Sequence, residues 1–292
     1  MSKLSLAIEA LTNPSGSMKG PSAAHVDGIH LGCLYPTMMQ PYVPLVCIVF
    51  YLIVVKIWER SNKKQQLAAT TIGRNRNGSR AQGVNLKPFI IAHNLILAVY
   101  SLWTFAEFFP AMLQAVRTQG IRGGFCDSKS VLWNGKLLEH GFLFYLSKYY
   151  ELVDTAIILA KGRDAGTLQT FHHSGAIFIM WYGNYVQSPY LSFFVFENSA
   201  IHTIMYIYYT ATALGFKPPG KQWLTRLQIA QFYIALSAGV FYAVGSGCQN
   251  KEQKVFTLAF LAYTLVLVRL FTEFARKTYG VKQQTSSAKK KA

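Results

Sequence analysis

The chain has 292 residues, of which 51% are hydrophobic and only 14% charged. That balance excludes an ordinary water-soluble globule and a disordered chain, and it suits a single bundle of membrane helices. The net charge of +17 would suit a nucleic-acid binder, but the Lys and Arg residues gather in connectors and in the tail. There they set membrane orientation and face anionic headgroups, so nucleic acid is not among the expected partners.

Residues 1–35 are mostly polar and read as an extramembrane segment without a secretory leader. Seven apolar stretches follow, at 36–58, 88–110, 137–160, 168–187, 190–214, 224–247 and 255–275. Residues 61–86, rich in Gly, Asn, Ser and Arg, read as a flexible loop. The fourth and fifth stretches are separated by Ser188-Pro189 and are expected to form a tight antiparallel hairpin. Basic residues concentrate in 60–87 and 276–292 and add to connectors 161–167 and 215–223, which odd-numbered spans place on one side. The positive-inside tendency makes that side cytosolic and the N-terminus luminal. The predicted organisation is therefore a luminal segment 1–35, an all-α membrane domain 36–275 and a basic cytosolic tail 276–292. On this map Cys126 and Cys248 share the luminal side, where a disulfide between them would persist. Cys33 and Cys47 sit away from any polar cluster.

Polar side chains inside hydrocarbon are costly and tend to mark function. Four clusters stand out. Lys148, Glu151, Asp154 and Thr155 recur at helical spacing in the third stretch, where Lys148 and Glu151 can pair and Asp154 can orient a histidine of a neighbouring helix. Gln169, His172 and His173 open the fourth; Gln169 and His172, three residues apart, share a face. Asn198, His202, Met205 and Tyr209 form a stripe on the fifth, with Tyr206 beside it. Thr225, Gln228 and Gln231 open the sixth, where hydrogen bonding between helices is an adequate alternative to a binding role. Arg269 and Glu273 are spaced for an ion pair. Together the clusters imply an enclosed, partly polar chamber in apolar surroundings.

These blocks resemble the ELO family of very-long-chain fatty acid elongases. Residues 148–155 are similar to its KxxExxDT pattern, 198–209 to NxxxHxxMYxYY and 225–231 to TxxQxxQ. His172-His173 is similar to the end of its HxxHH box, and the blocks stand in the family's order. The first position of the box is Gln169 rather than His, which resembles the lower-eukaryotic members acting on polyunsaturated chains. The terminal Lys289-Lys290-Lys291-Ala292 resembles a di-lysine retrieval signal of the endoplasmic reticulum.

The resemblance implies seven membrane helices, six of them enclosing an acyl-chain tunnel. It also implies condensation of an acyl-CoA with malonyl-CoA to a 3-oxoacyl-CoA, with release of CoA and carbon dioxide and no cofactor. No cysteine lies in the polar blocks, so a neutral imidazole is the expected nucleophile. His172 is expected to carry the acyl group, with His173, His202 and Asn198 orienting it or stabilising oxyanions, Asp154 setting a histidine tautomer, and Lys148 pairing with Glu151 or assisting the malonyl carboxylate. Gln169, Thr155, Tyr206, Tyr209, Gln228 and Gln231 are expected to line the substrate path, and Lys217, Lys221 and Arg226 to meet CoA phosphates at the cytosolic mouth. Expected partners are the two CoA esters, membrane lipids, the reductases and dehydratase of the elongation cycle, and a second copy of the chain. Two other classes compete. A di-iron desaturase or hydroxylase needs more histidines than the seven here. A seven-helix transporter or receptor would use the clusters as a proton relay, but the chain has no internal repeat.

Overall fold

The computed structural model describes residues 26, 28–71, 85–245 and 247–280. The first 25 residues, the core of the expected flexible loop and the di-lysine end lie outside the described residues.

Among the described residues the fold is helical throughout. A single turn at Tyr35–Met38 precedes α1 (Tyr42–Thr71). Then come α2 (Lys87–Cys126), α3 (Leu138–Tyr150), α4 (Leu152–Ala160), α5 (Gly166–Tyr185), α6 (Leu191–Leu214), α7 (Lys221–Val240) and α8 (Lys251–Ala275). Four helical segments are long and apolar enough to cross a membrane: 42–68, 87–126, 221–244 and 251–279. Their outer faces present Val46, Phe50, Ile96, Ile234 and Leu258 without cover. Such surface calls for lipid rather than water as its solvent. Among α3 to α6, α3 and α4 are too short to span alone, at 13 and 9 residues, and polar residues lower the hydropathy of α5 and α6.

Three boundaries differ from the sequence reading, each for a physical reason. The first span starts at Tyr42, not residue 36, because Pro41 and Pro44 lack N–H donors and are tolerated only in a first turn. Its helix runs on to Thr71, through residues expected to be loop. Lys, Gln and Ala there favour helix, and tertiary contacts hold the extension: Asn62 Nδ2 donates to the Leu159 carbonyl at 2.9 Å and Gln66 Nε2 to that of Gly162 at 2.8 Å, and Lys63 pairs with Asp164 at 3.2 Å. The second helix passes Pro110 and runs to Cys126. Its backbone breaks only at Gly120, whose φ of 73° a residue without Cβ reaches easily.

The turn between α5 and α6 is short, but the two helices pack little against each other. The α6 helix lies along α2, whereas α5 is wedged among α1, α3 and α8. The hairpin is tight at its turn and open along its length. Gln253 closes the turn by donating to the carbonyls of Val186 and Gln187, while its backbone N–H is capped by Asn250 at the start of α8. Cys126 and Cys248 are disulfide-bonded, as the sequence led one to expect. Beside them Asp127 accepts from the backbone of Leu132 and Trp133 at 2.8 and 2.7 Å and so starts the turn that leads into α3. The core is aromatic: Phe142, Phe144, Tyr190, Phe256 and Phe260 are almost wholly buried.

Candidate active site

The third predicted stretch is two helices, and Glu151 stands at the junction of α3 and α4. Spacing of three residues brings Lys148 Nζ to Glu151 Oε1 at 2.6 Å, and the same ammonium donates to Asn198 Oδ1 on α6 at 3.0 Å. The Phe144 ring, 3.9 Å from Nζ, covers a further side. Lys148 and Glu151 are 2% and 3% exposed, so their charges depend on each other and on Asn198 for compensation. His202 adds an imidazole one turn beyond Asn198; its Nδ1 lies 3.7 Å from the Glu151 carboxylate and makes no hydrogen bond. Lys148 and Glu151 also lie within electrostatic reach of His172 and His173 on α5. The first three sequence clusters thus meet at one buried centre.

His172 and His173 stand edge to face with ring centroids 5.3 Å apart. The Tyr263 hydroxyl on α8 donates to the His172 carbonyl at 2.9 Å and lies 3.4 Å from its Nδ1. This contact depends on Gly175, where an added Cβ would come within 2.2 Å of the Tyr263 ring. Gln169 does not meet His172, although the two share a face. The four-residue step reaches His173 instead, placing Gln169 Nε2 2.7 Å from its Nε2 and 3.3 Å from Thr155 Oγ1. Thr155 also bonds Tyr51 at 3.0 Å, which anchors α1 to the centre.

Asp154 meets a histidine of a neighbouring helix, but not one of the cluster. It makes no hydrogen bond to the three clustered histidines. Oδ1 lies 2.9 Å from Nε2 of His93 on α2, and Oδ2 accepts the Tyr206 hydroxyl at 2.7 Å. The helix turns Asp154 away from Glu151, toward α2 and the later part of α6. Asp154 therefore orients a histidine that sequence reasoning missed. The signal was present: His93-Asn94 is a polar pair in an apolar stretch, and both residues are buried. Tyr263 was missed because a lone tyrosine in an apolar helix carries no pattern.

The remaining candidates divide. Tyr206 is 1% exposed and belongs to the centre, whereas Tyr209 is 38% exposed at its edge. Gln228 donates to Met205 Sδ at 3.3 Å, Thr225 meets the Tyr279 hydroxyl, and Gln231 lies one turn deeper, facing a cavity. Lys217, Lys221 and Arg226 are exposed near the α6–α7 connector and do not enter the buried centre; Arg226 lies on the Trp223 ring. Arg269 and Glu273 form the expected surface pair at 3.1 Å.

Buried acid–base groups meeting across α3 to α6 suit polar chemistry performed inside an apolar shell, and comparison with known proteins identifies the family. A human very long chain fatty acid elongase 3 is 28% identical over 229 residues, 76% of this chain and 83% of its own. Fatty acid elongase sre1 of Dictyostelium discoideum is 36% identical over 152 residues, 52% of this chain and 57% of its own. Long chain fatty acid elongase 1 of Caenorhabditis elegans is 29% identical over 196 residues, 64% of this chain and 66% of its own. The GNS1/SUR4 family profile matches residues 36–289, so the chain belongs to the ELO family, a membrane-helix family of fatty acid elongation.

Proposed function

We propose that the protein catalyses the condensing step of elongation, joining a long-chain acyl-CoA to malonyl-CoA. The observation that carries this reading is the placement of His172 and His173 beside the buried Lys148–Glu151–Asn198–His202 set. Tyr263 takes up the Nδ1 side of His172, which leaves the Nε2 lone pair to attack the thioester carbonyl. The C–S bond breaks, the thiolate leaves as CoA, and an acyl-imidazole remains. Malonyl-CoA then binds and loses carbon dioxide. The C2 of its enolate attacks the acyl carbonyl, a C–C bond forms, and the imidazole leaves with 3-oxoacyl-CoA as product. Lys148 meets the malonyl carboxylate or the developing enolate, and His202 and Asn198 stabilise the oxyanions. Seven membrane crossings, a cytosolic mouth near Lys217 and Lys221, and residence in the endoplasmic reticulum complete the reading. Gln169 in place of the usual first histidine favours polyunsaturated chains.

Incubation with acyl-CoA alone tests the scheme. Release of one CoA per chain with an acyl adduct on His172, located by mass spectrometry, is the expected result. CoA release that strictly requires malonyl-CoA, with no adduct, overturns the two-step order.

A further inference from the structure

Beyond the catalytic centre, the bundle contains a cavity between α6, α7 and α8 with about 240 Å³ of unfilled space, including its opening. Its walls are apolar, with Phe194, Phe232 and Phe260 among them, but three polar residues face it: Glu197, Gln231 and Thr264. All three offer acceptors. Gln231 is 8% exposed and its Oε1 is buried without a hydrogen bond. The Thr264 hydroxyl already donates to the Phe260 carbonyl at 2.8 Å, so its oxygen is left to accept. No cation or hydrogen-bond donor meets Glu197 among the described residues. A polar group left unpaired in an apolar interior costs about 1–3 kcal/mol, so the unpaired Gln231 oxygen and the partnerless Glu197 carboxyl around one space imply an occupant that pairs with them.

The position of the cavity indicates what that occupant is attached to. Glu197 directly precedes Asn198, the partner of Lys148. The Phe194 ring is 6.0 Å from Lys148 Nζ, and Phe232 meets Phe271 edge to face, which in turn packs edge to face against His172. Two aromatic rings in series, Phe232 on the cavity wall and Phe271 behind it, therefore connect the cavity to His172. On α6 and α7 the cavity residues lie in the half of the helix away from the α6–α7 connector, and on α8 they lie at mid-helix. If CoA enters by that connector, an acyl chain held at His172 extends toward Glu197.

We propose that Glu197 and Gln231 form a subsite for a hydroxyl group borne on the acyl chain. The inference rests on the acyl-CoA reading above. A hydroxyl fits the chemistry in either protonation state of Glu197: with the acid it accepts the Glu197 proton and donates its own to Gln231 Oε1, and with the carboxylate it donates to Glu197 and accepts from Gln231 Nε2 once the amide turns. The tight interior, the size of about one water molecule, suits a hydroxyl and no larger polar group. A resident water is the other source of the same O–H chemistry, and the experiment separates the two.

The full-length protein is supplied with malonyl-CoA and a series of acyl-CoAs of one length, either unsubstituted or with the hydroxyl moved along the chain. One hydroxyl position should stand out in kcat/KM. Glu197→Leu should lower that maximum about tenfold, the worth of one hydrogen bond, and leave the unsubstituted substrate within about threefold; Gln231→Leu should lower the maximum as well. Glu197→Gln, which can still donate and accept, should keep the preference. Turnover of the unsubstituted substrate shows that the Glu197 variants are folded, and the thermal midpoint in detergent does so for Gln231→Leu. A flat positional profile in the wild type, or a maximum the Leu variants leave in place, overturns the subsite and leaves the cavity to water. Failure to elongate any acyl-CoA would instead overturn the condensing-enzyme reading.

Discussion

Asp154 bridges His93 and Tyr206, one carboxylate oxygen to each, at 2.9 and 2.7 Å. Three helices, α2, α4 and α6, are thereby joined through one side chain beside the candidate active site. Tyr206 is also the edge-to-face neighbour of His202, with ring centroids 5.4 Å apart. Disturbing His93 should reach His202 through this chain of contacts. His93→Ala should lower kcat at least tenfold with a smaller change in KM, since among the described residues His93 reaches the clustered histidines only through Asp154 and Tyr206. His93→Gln, which can still donate to Asp154, should recover part of the loss. Equal kcat in the wild type and the Ala variant would remove His93 from the positioning role.

The Lys148–Glu151 pair allows stability to be separated from chemistry. Removing one partner of a buried ion pair costs about 3–5 kcal/mol, whereas replacing both with apolar groups of similar size is often neutral. Glu151→Leu should therefore reduce the thermal midpoint in detergent sharply. The double variant Lys148→Met/Glu151→Leu should recover most of that midpoint and stay inactive. Activity in the double variant would show the pair to be structural only.

Gly175 tests the hold on His172. A Cβ at this position would sit 2.2 Å from the Tyr263 ring, so Gly175→Ala must displace the ring and its hydroxyl. Tyr263→Phe removes the hydroxyl and keeps the ring. Both variants should slow the first half-reaction, read as CoA release from acyl-CoA alone, by about tenfold, in line with one lost hydrogen bond. If only the Ala variant is slowed, packing rather than the hydroxyl is responsible.

The Cys126–Cys248 bond closes a sequence separation of 122 residues and ties the end of α2 to the start of α8. Loops of this length make a crosslink worth roughly 2–4 kcal/mol through the unfolded chain. Cys126→Ser/Cys248→Ser should lower the thermal midpoint by several degrees and leave the kcat of the surviving enzyme near wild type. A large fall in kcat at unchanged stability would mean that the bond shapes the substrate path.

Polar residues in an apolar chain were legible from the sequence because hydrocarbon makes them conspicuous. Helical spacing alone was enough to pair Lys148 with Glu151 and Arg269 with Glu273, and a shared luminal side on the predicted topology pointed to the Cys126–Cys248 bridge. Helical class, the polar blocks and the family they resemble followed from local pattern. Partners across helices did not. A helix periodicity says which residues share a face, but not which neighbour that face meets. Asp154 was free, on paper, to orient any histidine, and the packing of α2 along α6 assigned it His93. Gln169 shared a face with His172, and the four-residue step in α5 gave it His173. Tyr263 and Glu197 carried no pattern of their own; they matter only because α8 packs against α5, and because α6, α7 and α8 leave a space unfilled. Sequence alone determined that this chain places acid–base groups inside a membrane-helix bundle. The tertiary structure decided which of them touch, because hydrogen bonds and ion pairs act over about 3 Å and only packing brings distant segments that close.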